Sequence, residues 1–198
     1  MKLILSKIKT YFGKLDKLLL FMCMGIAFFA VFIQYTLYEN DISSAVTASQ
    51  YKTQIIAFIA GIVIAMALAA INYKYLAKLW FIYVPLAMGL TLLLFTPLGI
   101  QREGADDIGW LDLGIMTIQP SEILKLAFIL SLAVHLSKVE DRMNEPIHFI
   151  LLCIHGAIPT LLIRQTGDDG SALVFLFIFI CMMFAAGLSW KYLSLIHI

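Results

Sequence analysis

The residues able to do chemistry in this chain are few, and they stand at the margins of long apolar runs. In the stretch 110–125, W-L-D-L-G-I-M-T-I-Q-P-S-E-I-L-K, a Gln-Pro-Ser-Glu turn and a lysine lie at the mouth of an otherwise apolar helix. Pro120 fits the first helical turn, where its missing N–H costs nothing, and Glu122 faces the positive end of the helix dipole. Lys125 follows Glu122 by three residues, so the two side chains share a helix face and can pair. The next residues, A-F-I-L-S-L-A-V, form the interior of a membrane span, where ionisable groups are costly and usually functional. The same residues also read as a plain helix start followed by a snorkelling lysine, and on physics alone the two readings stand level.

Three further features invite the same comparison. The segment 164–172, R-Q-T-G-D-D-G-S-A, makes a turn and a helix N-cap through Asp168, Asp169, Gly170 and Ser171. Asp168 and Asp169 could hold a divalent cation, although two adjacent acids without further ligands are thin support for a site. His155 falls near the middle of an apolar run and is a functional candidate on that ground, yet one hydrogen bond to a carbonyl or a serine would satisfy it. Trp110 lies in a glycine-rich stretch, 97–118, that reads as a structured loop folding back on the membrane; a tryptophan there also serves as an interfacial belt aromatic.

The elements that must position these residues are membrane helices. Of the 198 residues, 62% are hydrophobic and 14% charged, and the mean hydropathy is +0.93. The fold class this implies is all-α, a polytopic transmembrane helical bundle. Six spans are expected, near 18–38, 54–71, 79–98, 120–136, 147–163 and 171–188. Residues 1–17 mix apolar side chains with five lysines, the pattern of a basic amphipathic helix on the membrane surface. Ala57, Gly61, Ala65 and Ala69 form a smooth ridge suited to helix packing, and Pro85 is a possible kink in the third span. Cys23, Cys153 and Cys181 are scattered through the spans, with neither disulfide nor metal-ligand spacing.

Ten basic residues fall at the N-terminus, the second and fourth loops and the end of the chain, against Lys52, Arg102 and Arg164 on the other side. By the positive-inside rule both termini are cytoplasmic, and the loops with Asp106, Asp107, Asp112, Asp168 and Asp169 face outward. The basic residues are thereby accounted for without a nucleic-acid partner.

Trp-Leu-x-Leu-Gly, followed by Ile-Gln-Pro-Ser-Glu and then Lys125, resembles the signature of the SEDS family, the RodA, FtsW and SpoVE proteins of shape, elongation, division and sporulation. Asp168-x-Gly170-Ser171-Ala172 looks like that family's Q-P-D-L-G-T-A motif, and Gly187-Leu-Ser-Trp-Lys-Tyr192 resembles its closing Gly-x-x-Trp-Arg-Tyr. Two departures are plain: acids stand at 106 and 107 where the family has bases before the tryptophan, and Thr166-Gly167 replaces the proline of Q-P-D with one residue inserted.

The resemblance implies a bacterial inner-membrane peptidoglycan glycosyltransferase that polymerises lipid II with a class B penicillin-binding protein; the short N-terminus leans toward the RodA branch. In such chemistry a carboxylate deprotonates the acceptor hydroxyl and a cation stabilises the leaving pyrophosphate. Trp110, Gln119, Pro120, Ser121, Glu122, Lys125, Asp168 and Gly170 would line the substrate cavity. The family's catalytic aspartate lies after a seventh span, so the six spans here are six of an expected ten, and no catalytic residue is assigned. No cofactor is firmly implied beyond a possible divalent cation. Residues 18–192 read as the N-terminal part of the SEDS domain, and 193–198, L-S-L-I-H-I, as an adapter-derived tail. A lipid II flippase and a scaffold for the penicillin-binding protein are the rival functions.

Overall fold

A computed structural model of the chain describes residues 16–40, 47–102, 104, 106–114 and 117–188. The expected surface helix at 1–17 (but for its last two residues), the Trp-Lys-Tyr close of the last motif and the tail at 193–198 lie outside the described residues. The chain divides into two compact units, residues 1–72 and 73–198.

In the first unit, α1 (Lys17–Glu39) and α2 (Ala48–Ala70) each run 23 residues. Asp16 caps α1 by accepting from the Leu19 N–H at 3.0 Å, and Thr47 and Gln50 form a reciprocal capping box on α2. Both helices are apolar on all sides, and Phe21, Phe28, Ile59 and Val63 are exposed. Such a surface is stable against hydrocarbon and not against water. Ala57, Gly61 and Ala65 of the small-residue ridge line an open groove together with Leu20, Cys23 and Met24 of α1. Tyr51 stacks on Tyr38 at 6.1 Å and tilts against Tyr35 at 5.7 Å, tying one end of the pair.

The second unit begins with the short α3 (Tyr73–Lys78) and α4 (Trp80–Leu92), which a 3-10 turn (Leu93–Phe95) extends. Pro85 lies inside α4. A small antiparallel sheet follows: β1 (Gly99–Ile100), β2 (Trp110–Asp112) and β3 (Thr117–Ile118) in that spatial order. Then come α5 (Pro120–Lys138), a 3-10 turn (Glu140–Arg142), α6 (Pro146–Gln165) and α7 (Asp169–Ala185). All six expected spans are helices. Four are long and apolar enough to cross a bilayer, while the third and sixth are the shorter apolar helices Trp80–Phe95 and Asp169–Ala185. The third ends early because Thr96, Pro97 and Gly99 turn the chain: the Thr96 hydroxyl bonds the Leu93 carbonyl at 2.6 Å, and a side chain at Gly99 would overlap the Leu94 carbonyl.

The core of this unit is the buried stripe of α5, where Leu124, Phe128, Leu132 and Leu136 recur at helical spacing against Leu152 and Ile163 of α6 and Phe175, Phe179 and Met183 of α7. Lipid is as apolar as these side chains, so the stripe stabilises by close packing and dispersion more than by removal from water. Gly156 makes room on α6 for α7, because a methyl there would strike the Phe179 ring. By contrast, nothing lies within 4 Å of a methyl at Gly61. Gly61→Ala should therefore gain up to about 1 kcal/mol from helix propensity. Gly156→Ala should lose more than that gain through overpacking, typically about 1–3 kcal/mol. Thermal unfolding of the two variants in detergent checks the opposite signs.

Candidate functional site

Every expected site residue falls at the end of the second unit where α5 and α7 begin and α6 finishes. The glycine-rich loop forms a platform there. Ile100 pairs with Trp110, Leu111 with both Gly99 and Ile118, and Asp112 with Thr117. Leu111 is wholly buried beneath the sheet. Asp112 Oδ1 accepts from the Gly114 N–H at 2.8 Å, and Gly114 at φ +78° adopts the left-handed turn that favours glycine. The described residues of the loop are structured, as its composition predicts, although nothing in that composition specifies three strands.

The platform is stitched to the α6–α7 turn. The Ile108 N–H donates to the Thr166 carbonyl at 2.9 Å. Gly167, at φ +86°, brings its backbone against Asp107 and the Asp106 carbonyl, where even a methyl would be 3.3 Å from Asp107 Cα. Gly167, of the Thr166-Gly167 pair that departs from the family pattern, thus meets the two acids that form the other departure, while Thr166 bonds the adjoining Ile108. The structure joins the two departures into one contact.

Trp110 has a cationic partner. The Arg102 guanidinium stands 3.4 Å from the Trp110 ring centroid, a cation–π contact, and Arg102 Nη2 reaches Thr117 Oγ1 at 3.5 Å. A base therefore does accompany the tryptophan, supplied across the β1–β2 hairpin and not from the residues just before it. Sequence reasoning passed over Arg102. The only available signal was its placement two residues beyond a strand whose register depends on the loop closing.

Gln119 precedes α5 as its N-cap residue without a side-chain cap bond, and Pro120 occupies the first turn as expected. Lys125 Nζ bonds Glu122 Oε1 at 2.6 Å, so the expected pair forms. The Glu122 side chain is 61% exposed and that of Lys125 18%. Glu122 lies on the opposite side of the helix from the buried stripe. Ser121 is on the stripe, 2% exposed, and its hydroxyl has no protein hydrogen-bond partner among the described residues. Asp168 caps α7, accepting from the Ser171 N–H at 2.7 Å, with Gly170 beside it in the first turn. Asp169 turns outward to Arg164 at 3.6 Å. Among the described residues, no three His, Cys, Asp or Glu side chains gather as metal ligands would.

A second polar cluster, which the sequence did not announce, lies within the bundle. His155 meets His135 Nδ1-to-Nδ1 at 3.1 Å and Ser131 Oγ through Nε2 at 3.0 Å, while Ser131 donates to the Phe128 carbonyl at 3.1 Å. With both rings neutral, one proton arrangement serves all three contacts: His135 Nδ1–H to His155 Nδ1, His155 Nε2–H to Ser131, and the Ser131 hydroxyl to Phe128. The expectation that a serine could satisfy His155 holds, but the chain of bonds also takes in His135. The signal was present, because Ser131 and His135 are four residues apart on the Phe128 face of α5. The cluster borders a groove of about 490 Å³ with Met88, Leu151 and Ile158.

The family model described as cell cycle protein, covering FtsW, RodA and SpoVE, matches residues 14–198. The chain is 30% identical over 188 residues to the probable peptidoglycan glycosyltransferase FtsW of Trichlorobacter lovleyi, covering 87% of this chain and 46% of that one. Its fold is similar to the crystal structure of the rod shape determining protein RodA of Thermus thermophilus, with a TM-score of 0.65 at 25% identity over 85% of this chain and 55% of that one. It is also similar to a chain of a peptidoglycan synthase complex that coordinates polymerization and crosslinking, with a TM-score of 0.68 at 23% identity over 88% and 50% of the two chains. The chain spans about half the length of these relatives.

Two substitutions separate the two polar clusters. Because Glu122 lies in the first turn of α5 and is mostly uncovered by protein, Lys125→Met should cost less than about 1 kcal/mol, not the 3–5 kcal/mol of a broken buried pair. For His135→Leu and His155→Leu, a double-mutant cycle read by reversible unfolding in mixed micelles should give coupling of about 0.6–1.7 kcal/mol, the range for hydrogen bonds between membrane helices. Strict additivity would show that the two rings do not interact.

Proposed function

The chain belongs to the cell cycle protein family of FtsW, RodA and SpoVE, and from that membership we propose that it serves peptidoglycan glycosyl transfer, the polymerisation of lipid II at the outer face of the bacterial inner membrane. The observation that carries this reading is the family match across residues 14–198, together with a relative named as a peptidoglycan glycosyltransferase. The membrane orientation proposed with it places both termini in the cytoplasm and the sheet platform outside, following the lysine bias.

In this reading Trp110, Gln119, Pro120, Ser121, Glu122, Lys125, Asp168 and Gly170 form the wall of the substrate cavity, and the platform positions them. Lys125 and Arg102 offer positive charge toward a pyrophosphate, while Glu122 keeps Lys125 oriented. None of these residues is assigned as the proton acceptor; in the family pattern that role goes to an aspartate after the seventh span. The partner is a class B penicillin-binding protein, in keeping with the likeness to a chain of a peptidoglycan synthase complex. The flippase reading would use the same polar end as a transport path.

Reconstitution with lipid II and the penicillin-binding protein tests the proposal. Polymer formed by the protein reconstituted with that partner supports the reading, and lipid II left unpolymerised under those conditions would overturn it. Lipid movement across vesicles without polymer would favour the flippase. Ser121 supplies a sharper test of the wall. An unpartnered buried hydroxyl carries a desolvation cost of about 1–3 kcal/mol, so Ser121→Ala should leave the unfolding temperature unchanged or raised. The same variant should lower polymerisation by about tenfold, the scale of one lost hydrogen bond to the reacting complex. Unchanged polymerisation would reduce the Gln-Pro-Ser-Glu turn to a helix start.

A further inference from the structure

The histidine contact within the second unit has more order than helix packing requires. His135 Nδ1 and His155 Nδ1 are 3.1 Å apart, and the two ring centroids are 5.3 Å apart. The centroid distance is close to the nitrogen separation plus two ring radii, so the two nitrogens face one another nearly in line. His155 Nε2 is engaged by Ser131 Oγ at 3.0 Å, and Ser131 donates in turn to the Phe128 carbonyl at 3.1 Å. With the His155 proton held on Nε2, its Nδ1 presents a lone pair toward His135. A partner on one ring nitrogen that fixes the tautomer and orientation of the other is what metal-ligating histidines carry. Met88 of α4 lines the same groove of about 490 Å³ as both histidines, and its thioether is a soft ligand on a flexible stem.

We propose that His135 and His155 bind one copper(I) ion between their Nδ1 atoms, with the Met88 sulfur as a third and weaker ligand. Two opposed nitrogens suit a closed-shell monocation that accepts two ligands in line, whereas zinc collects four in a tetrahedron. Thioether sulfur favours Cu(I) over harder dications. The cost of taking an ion out of water rises with the square of its charge, so within a span a monocation bears about a quarter of the cost of a dication. On ligation the His135 proton moves from Nδ1 to Nε2, so both rings stay neutral and no proton is released. Turning the rings apart widens the 3.1 Å gap to the roughly 4 Å that two metal–nitrogen bonds of about 2 Å need. The ion then ties α4, α5 and α6 together. This site does not depend on the glycosyl-transfer reading, which uses the platform end of the unit.

Competition for copper reads the site directly. The 198-residue chain with Cys23→Ala, Cys153→Ala and Cys181→Ala, which leaves no thiol to compete, is titrated in detergent micelles with Cu(I) under anaerobic ascorbate. It should withdraw one Cu(I) per chain from the coloured bicinchoninate complex. His135→Leu and His155→Leu should each abolish that withdrawal, and His148→Leu should leave it intact. Ser131→Ala should weaken binding about 10–100-fold, the usual loss when the outer partner of a ligating histidine is removed. Copper X-ray absorption should show two nitrogen scatterers and one sulfur. Met88→Leu conserves volume and so guards against histidine variants that fail to fold; it should remove the sulfur and keep both nitrogens. Zn(II) offered in place of Cu(I) should be held about tenfold or more weakly. No Cu(I) withdrawn from bicinchoninate, or binding that survives loss of either His135 or His155, would overturn the proposal. So would zinc held as tightly as copper, or a sulfur signal that Met88→Leu leaves unchanged.

Discussion

The second unit depends on the seat of Phe128. Its ring, 3% exposed, lies 5.5 Å from the Phe175 ring of α7 and 6.0 Å from the His155 ring of α6, so a single side chain of α5 fixes two neighbouring helices. In a bilayer that contact cannot be replaced by general hydrophobic collapse, because lipid tails compete for the same surfaces on equal terms. What holds three helices in one register is shape: Phe128 against Phe175, Phe179 over Gly156, and the polar chain through His155 that closes on the Phe128 carbonyl itself.

From this seat the two ends of the bundle acquire different characters. Toward the start of α5 the stripe ends in Leu124 and Ser121, and the sheet platform closes over it with Leu111 at its centre. Its attachment to Thr166 and Gly167 links a loop that precedes α5 to the turn that follows α6. Toward the finish of α5 the stripe ends in Leu136, and charges of both signs follow in Lys138, Glu140, Asp141 and Arg142. One helix therefore carries charged groups at both ends, separated by apolar packing that the Ser131–His155–His135 contacts interrupt.

The two histidines show how a bilayer changes the meaning of a polar residue. In water-soluble protein a half-buried imidazole can turn to solvent; inside a span it must find a partner on a facing helix. His155 has two, and both come from one face of α5. The pair fixes rotation of α6 about its axis more sharply than leucines would, because hydrogen bonds are directional and close packing tolerates slippage.

Much of the fold was legible from local chemistry. Six apolar runs gave six helices because the backbone in hydrocarbon has only its own carbonyls to bond. Pro120 set the start of α5 and Asp168 capped α7 because both act within one turn. The Glu122–Lys125 pair follows from spacing alone. Tertiary structure decided what lies across space: that Glu122 turns away from the core while Ser121 turns into it, that Arg102 reaches Trp110 through a hairpin register, that Gly167 meets Asp107, and that His135 faces His155. Each of these depends on how one helix or strand is rotated against another. That rotation is set by side-chain shapes meeting from distant parts of the chain, which no single stretch of sequence contains.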